Sequence, residues 1–193
     1  MAKLEFFFDY VSSYSYLADH RLRALDLGEI HYRPMFLGGV MQATGNKPPA
    51  TVPAKGAYLM RDLKRWAGHY DVPFRMNSVF PQNTIKALRL ALVAQARGSF
   101  PDLHPRLFSA MYAEDLDLTQ DDVLAGLLES AGLDAADYLS AITDPAVKAQ
   151  LKENTEEAVE RGAFGAPTFF VGEEMFFGND RFDFITEALQ RAS

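Results

Sequence analysis

Cysteine is absent from the 193-residue chain. That excludes disulfides, dithiol redox chemistry and a cysteine nucleophile belonging to the protein itself. Histidine is scarce, and His20, His31, His69 and His104 have neither metal-ligand spacing nor an obvious carboxylate orienter, so no metal centre is expected. A serine nucleophile elbow of the G-x-S-x-G type is missing too, which disfavours a serine-hydrolase triad. No apolar run approaches the ~20 residues that span a bilayer. Positive charge is in the minority: 19 Lys and Arg against 26 Asp and Glu leave a net −7, the wrong sign for a nucleic-acid surface. A basic stretch such as 61–65 is interrupted by Asp62 and reads as a solvated helix face. At the N-terminus Lys3, Glu5 and Asp9 interleave with apolar residues, a strand pattern rather than a secretory signal, so a cytoplasmic protein is expected.

Apolar residues are plentiful: 48% of the chain is hydrophobic and 12% aromatic, enough for a packed core. Residues 3–8 form a compact apolar strand, after which Tyr16, Leu17, His20, Leu22 and Leu25 follow helical spacing up to Gly28. Alternation over 29–35, with Pro34 near its end, predicts a second strand and completes a β-α-β unit. Residues 36–53, broken by Gly38-Gly39, Pro48-Pro49 and Pro53, read as loop. From Ala54 to Gly162 the apolar period is that of a helix. Within this stretch Leu59, Leu63, Trp66 and Tyr70 share one face, and Asn83 or Thr84 caps a helix carrying Leu88, Leu92 and Ala96. Residues 101–112 are another helix, and Thr119-Gln120-Asp121-Asp122 predicts a capping box ahead of 123–131. Segments 134–142 and 145–161 follow, then two strands, 168–171 and 174–177, joined by Gly172-Glu173 as a two-residue hairpin. Phe182, Ile185 and Leu189 mark a last amphipathic helix.

The order is β-α-β, a helical block, then β-β-α. Removing the block joins its two flanks into one α/β sheet, so an inserted all-helical domain over 54–162 is expected, carried by a domain made of 1–53 plus 163–193. The junction of the first strand and helix reads Ser12-Ser13-Tyr14-Ser15. Redox proteins of the thioredoxin type place a C-x-x-C pair at such a junction, where the helix N-terminus favours the thiolate. The loop Gly165-Ala166-Pro167-Thr168 supplies the matching half, as the cis-proline loop that faces that motif. A thioredoxin-like scaffold without cysteine must receive its thiol from outside, and glutathione is the obvious supplier.

The segments F-F-D-Y-V-S-S-Y-S-Y-L-A, G-N-K-P-P, D-L-K-R-W, F-G-A-P-T-F-F-V and F-F-G-N-D-R, in this order along nearly the whole chain, resemble the family that joins the kappa-class glutathione transferases and the 2-hydroxychromene-2-carboxylate isomerases. That resemblance implies a thioredoxin-like fold, glutathione as cofactor and a homodimer. It makes Ser12 the catalytic serine that contacts the glutathione sulfur. Ala166, just before Pro167, is implied to pair its backbone with the cysteinyl part, and Gly178, Asn179, Asp180 and Arg181 to hold the γ-glutamyl end. Asn46 and Lys55 fall at polar positions near the cofactor, while Asn46 and Lys47 also fall where the isomerases bind substrate. One departure is Ser13, where the family commonly has proline.

Each of these residues has an ordinary structural role beside the functional one. Ser12 and Asp180 suit helix N-caps, Pro167 suits the start of an edge strand, and Lys47 suits a solvated loop. Met76, after Val72-Pro73-Phe74, is a candidate apolar wall for substrate. The leading expectation is a glutathione-dependent cis-trans isomerase of an aromatic enone-pyruvate, the ring-opened form of 2-hydroxychromene-2-carboxylate. The alternatives are a transferase that releases the conjugate and a non-catalytic glutathione- or peptide-binding module.

Overall fold

A computed structural model describes residues 3–192. The first strand, β1 (Leu4–Phe8), leads into α1 (Ser13–Arg23) and β2 (Ile30–Pro34), followed by α2 (Leu37–Thr44) and a single 3-10 turn at Pro49–Thr51. Six helices come next: α3 (Pro53–Tyr70), α4 (Ile85–Arg97), α5 (Phe100–Tyr112), α6 (Asp121–Ser130), α7 (Ala135–Ala141) and α8 (Pro145–Glu160). The chain ends with β3 (Thr168–Val171), β4 (Glu174–Phe177) and α9 (Phe182–Arg191). The strands lie in the order β2-β1-β3-β4. β1 runs parallel to β2 and antiparallel to β3, and β3 pairs antiparallel with β4 across Gly172-Glu173. This is the thioredoxin-like α/β sheet with added helices that the element order predicted. Among the described residues no helix is long and apolar enough to cross a membrane.

The run Phe6-Phe7-Phe8 is explained by burial on both sheet faces, since successive strand side chains point opposite ways. Phe6 and Phe8 enter the large core with α1, α4 and α5, where Phe6 stacks on Phe169 at 4.9 Å and Phe8 meets His104 at 4.9 Å. Phe7 points to the other face and packs with Phe170, Met35, Val40, Ala158 and Ala163 under α2 and α8. Arg33 and Arg161 close that second face. Arg33 pairs with Glu5 and Glu157, Arg161 with Glu5 and Glu157, and the Arg161 guanidinium lies 3.8 Å over the Phe170 ring.

Two local expectations are corrected. Residues 36–53 are not a plain loop, because they hold α2 and the 3-10 turn. Gly38-Gly39 is there for close approach rather than to break the chain: a Cβ at Gly38 would fall 2.7 Å from Cζ of the Phe36 ring. The capping box at Thr119 does not form. The N-cap of α6 is Gln120 without a side-chain cap, and Thr119 instead turns back to Asp117 through its N–H and hydroxyl at 3.0 and 2.7 Å.

Candidate functional site

The parallel β1/β2 pair sends the chain from β1 directly into α1, and Ser12 is the residue that starts the helix. It has extended backbone angles (φ −88°, ψ 108°), and its Oγ accepts the Ser15 N–H at 3.1 Å. The N-cap role is therefore real, and it coexists with a second contact: the same hydroxyl donates to the carbonyl of Ala166 at 3.1 Å. Those residues are 154 positions apart. The peptide bond between Ala166 and Pro167 is cis, and the Pro167 carbonyl accepts the Gly178 N–H at 3.1 Å, which ties the loop to the end of β4. Ser12 is 7% exposed. The first N–H groups of α1 beyond it have no intrahelical acceptor, as at any helix start, and their dipoles favour negative charge at this point.

A residue missed in the sequence holds the turn from below. Asp9 is fully buried; its Oδ1 accepts from the Val11 N–H at 3.1 Å and from the Thr84 hydroxyl, and its Oδ2 accepts from the Leu37 N–H at 2.8 Å. Thr84 precedes α4 and Leu37 opens α2. One carboxylate thus gathers the starts of two helices three residues before Ser12. Burial lifts its pKa above the ordinary carboxylate range, with the Thr84, Leu37 and Val11 donors pulling the other way.

Of the other implied residues, Asn46 is tied to the loop before Pro167. Asn46 donates Nδ2–H to the Phe164 carbonyl at 2.7 Å, two residues before Ala166, and its Oδ1 accepts the Lys47 N–H at 2.8 Å. Lys47 is exposed. Lys55 lines a cleft of about 400 Å³ with Tyr14, Pro49, Ala54, Tyr58 and Leu59. Tyr14, the second residue of α1, is another position the sequence did not single out. Its hydroxyl donates to Asp62 at 2.7 Å, and its pKa is pushed far up by burial, by that bond and by nearby carboxylates including Asp180.

After β4 the chain turns at Gly178, with φ +108° and a Cβ position only 2.9 Å from Oδ1 of Asp180. A side chain there would displace that carboxylate. Asn179 is buried, its carbonyl accepting the Tyr70 hydroxyl at 2.6 Å while its Nδ2 has no hydrogen-bond partner. Asp180 pairs with Arg181 at 2.9 Å and does not cap α9; the N-cap is Arg181, without a side-chain bond. An open helix start, an orphaned amide donor and an exposed carboxylate at a tight turn suit an α-amino acid end group of a ligand. Met76 lies half-buried against the large core. The site therefore joins Ser12 and Ala166 directly and links Pro167 to Gly178 and Asn46 to the Phe164 carbonyl, while Lys55 shares its cleft with Tyr14.

Residues 3–190 match the DsbA-like thioredoxin domain. A 2-hydroxychromene-2-carboxylate isomerase from Sphingobium xenophagum is 31% identical over 191 residues, covering 96% of this chain and 97% of that one. Glutathione S-transferase kappa 1 of Caenorhabditis elegans is 30% identical, with 99% of this chain and 92% of that one aligned. A solved 2-hydroxychromene-2-carboxylate isomerase superposes with a TM-score of 0.89 at 30% identity, over 98% of this chain and 95% of the other. On this match of family and fold along almost its entire length, the chain belongs to the DsbA-like thioredoxin domain family.

Proposed function

We propose that the protein is a glutathione-dependent isomerase acting on an aromatic enone-pyruvate such as ring-opened 2-hydroxychromene-2-carboxylate, with Ser12 as its catalytic residue. The observation that carries this reading is the Ser12 hydroxyl at the start of α1, 3.1 Å from the carbonyl before cis Pro167, in a chain with no cysteine. Bound glutathione would supply a nucleophilic sulfur that adds reversibly to the carbon β to the ketone, so that the former double bond can rotate before the sulfur leaves. Ser12 redirects its O–H from Ala166 to that sulfur, and the N-terminus of α1 adds positive potential, both favouring thiolate over thiol. The backbone of Ala166 holds the cysteinyl part in an extended pairing. Asp180, Asn179, Gly178 and Arg181 receive the γ-glutamyl end, with the Asp180 carboxylate on its ammonium. Asn46 and Lys55 hold the remainder of the cofactor. Lys47 carries the substrate carboxylate or the oxygen on which negative charge develops, and Met76 adds an apolar wall. A cytoplasmic homodimer is part of the same proposal, and sedimentation of the purified protein tests the dimer.

Names of relatives at about 30% identity, an isomerase and a kappa-class transferase, support a reaction of this kind. The same activated sulfur would serve a transferase, and a product assay separates the two: free glutathione returns after an isomerisation and is consumed in a conjugation. The activating role is tested by titrating thiolate absorbance of the glutathione complex against pH. Ser12→Ala is expected to raise the pKa of the bound thiol by about one to two units, the worth of one charge-assisted hydrogen bond, and to lower turnover steeply. Coincident titration curves for the two proteins would remove Ser12 from its role.

A further inference from the structure

A second and larger cleft, of about 510 Å³, lies in the groove between α2, α4 and α8. It shares no lining residue with the cleft of Tyr14 and Lys55. Phe36 at the entry to α2, Ile85 in the first turn of α4, and Leu151 and Val159 on α8 give it apolar walls. Three cations, Arg89, Lys148 and Lys152, face two acids, Glu156 and Glu160. These charges are unevenly matched. Lys152 holds both oxygens of Glu156, at 2.6 and 2.8 Å. Among the described residues, Arg89 and Lys148 have no side-chain hydrogen bond and no carboxylate within ion-pair distance, unlike Arg33, Arg97 and Arg161, which all have one.

Arg89 is the more telling of the two. Its Nε is sealed from solvent with no hydrogen-bond partner. A guanidinium brought partly out of water is ordinarily compensated by an acceptor, because its hydration has been lost and nothing else satisfies its donors. Here the acids of the cleft leave that Nε without an acceptor. A planar guanidinium fork matches a carboxylate best, and the surplus of one cation over the acids suits a single negative charge. The volume falls in the range of small-molecule sites, which are mostly apolar with a few polar groups that fix orientation.

We infer that this groove binds a small amphipathic monoanion, a carboxylate with an aliphatic body. Its head group pairs with Arg89 and Lys148, and its hydrocarbon lies on Phe36, Ile85, Leu151 and Val159. This inference does not rest on the reading of the Ser12 site.

Octanoate is the probe, with 1-octanol as its uncharged counterpart, titrated into the full-length protein while methyl resonances are followed by NMR. Saturable shifts are expected at Ile85, Leu151 and Val159, with Leu59 in the other cleft unmoved. Octanol should bind at least about tenfold more weakly, and Arg89→Met should weaken octanoate by about tenfold, the loss of one charge-assisted contact. If Arg89→Met fails to fold, Lys148→Met at an exposed position should weaken octanoate by about threefold, and added salt should act in the same direction. Equal affinity for octanol, shifts confined to Leu59, or no saturation would overturn the proposal. So would shifts of the groove methyls that follow protein concentration without octanoate, which would make the groove a contact between two copies of the chain.

Discussion

Asp180 and Asp9 show how differently two carboxylates can act. Asp180 is exposed at a turn and, among the described residues, is paired only with Arg181, its neighbour in sequence. Its contact with the far end of glutathione would be the same before and during reaction, so it contributes uniform binding. Asp180→Ala is expected to raise the apparent KM for glutathione while leaving kcat at saturating cofactor nearly unchanged, which steady-state kinetics over a wide glutathione range will check. An unaltered KM would return Asp180 to a purely local role. Asp9 touches no ligand in this scheme and acts by positioning Ser12. Asp9→Asn turns an amide N–H toward the Leu37 N–H or the Thr84 hydroxyl, so stability should fall by about 1 to 3 kcal/mol. The thiolate titration of the glutathione complex should move upward as well, a shift that a merely destabilised but intact site would not give. Ser12 and the Ala166-Pro167 loop were legible because their signals are local: a strand running into a helix, and a proline before a strand. Asp9 and Tyr14 were not, since the partners that give them meaning, Thr84 and Asp62, are 75 and 48 residues away.

Among the elements, α1 carries the most demanding electrostatics. Asp19 on its buried face accepts from His104 Nε2 at 3.1 Å and pairs with Arg23 at 2.9 Å, and His104 Nδ1 lies 2.8 Å from the Tyr10 hydroxyl. Burial and the Asp19 charge drive the Tyr10 pKa well up, and the His104 ring bridges the Tyr10 hydroxyl at Nδ1 and the Asp19 carboxylate at Nε2. This array bolts α1 to α5 directly behind the turn that presents Ser12. For Asp19 burial opposes ionisation, but the His104, Arg23 and Tyr32 partners outweigh it and hold the carboxyl below its ordinary value. A folded pKa below the unfolded one means that the stabilisation is complete above the unfolded value and is lost as pH falls through the folded one. Asp19→Asn should therefore cost about 3 kcal/mol near neutral pH, and urea midpoints measured from pH ~7 to pH ~3 should show the gap to wild type closing at the acid end. A gap independent of pH would mean that Asp19 acts through shape alone. Helical periodicity revealed α1, α3 and α4, yet α2 was hidden because Gly38-Gly39 reads as a breaker until the Phe36 ring is seen lying against it.

At the scale of the whole molecule, the division into a sheet domain and an inserted helical domain over 54–162 is a proposal about lineage and layout that leaves open how the parts hold together. Physical contact argues for one folding unit. The large core runs as one hydrophobic cluster from Leu4, Phe6, Phe8 and Phe169 of the sheet to Leu88, Leu103, Phe108 and Leu128 of the helices. On the opposite face, α8 of the helical block packs on α2 and β2, where Asn154 donates to the Pro34 carbonyl at 3.0 Å and Glu157 joins Arg33 to Arg161. Separating the two regions would expose Phe7, Phe8 and Phe170 at once. Unfolding in urea should accordingly be a single transition, with the fluorescence of Trp66 on α3 and the hydrogen exchange of Phe169 and Phe170 on β3 reporting the same free energy. Glu157→Gln, which removes the charge shared by two arginines, should lower both by the same ~1 kcal/mol. Two separated transitions, with Trp66 moving before the β3 amides, would instead establish the helical block as an autonomous unit. The sequence could indicate where the helices begin and end, but it could not show that α8 returns to roof the sheet, because that depends on Arg33 of β2 meeting Glu157 of α8 and on Glu5 of β1 meeting Arg161 at the end of α8.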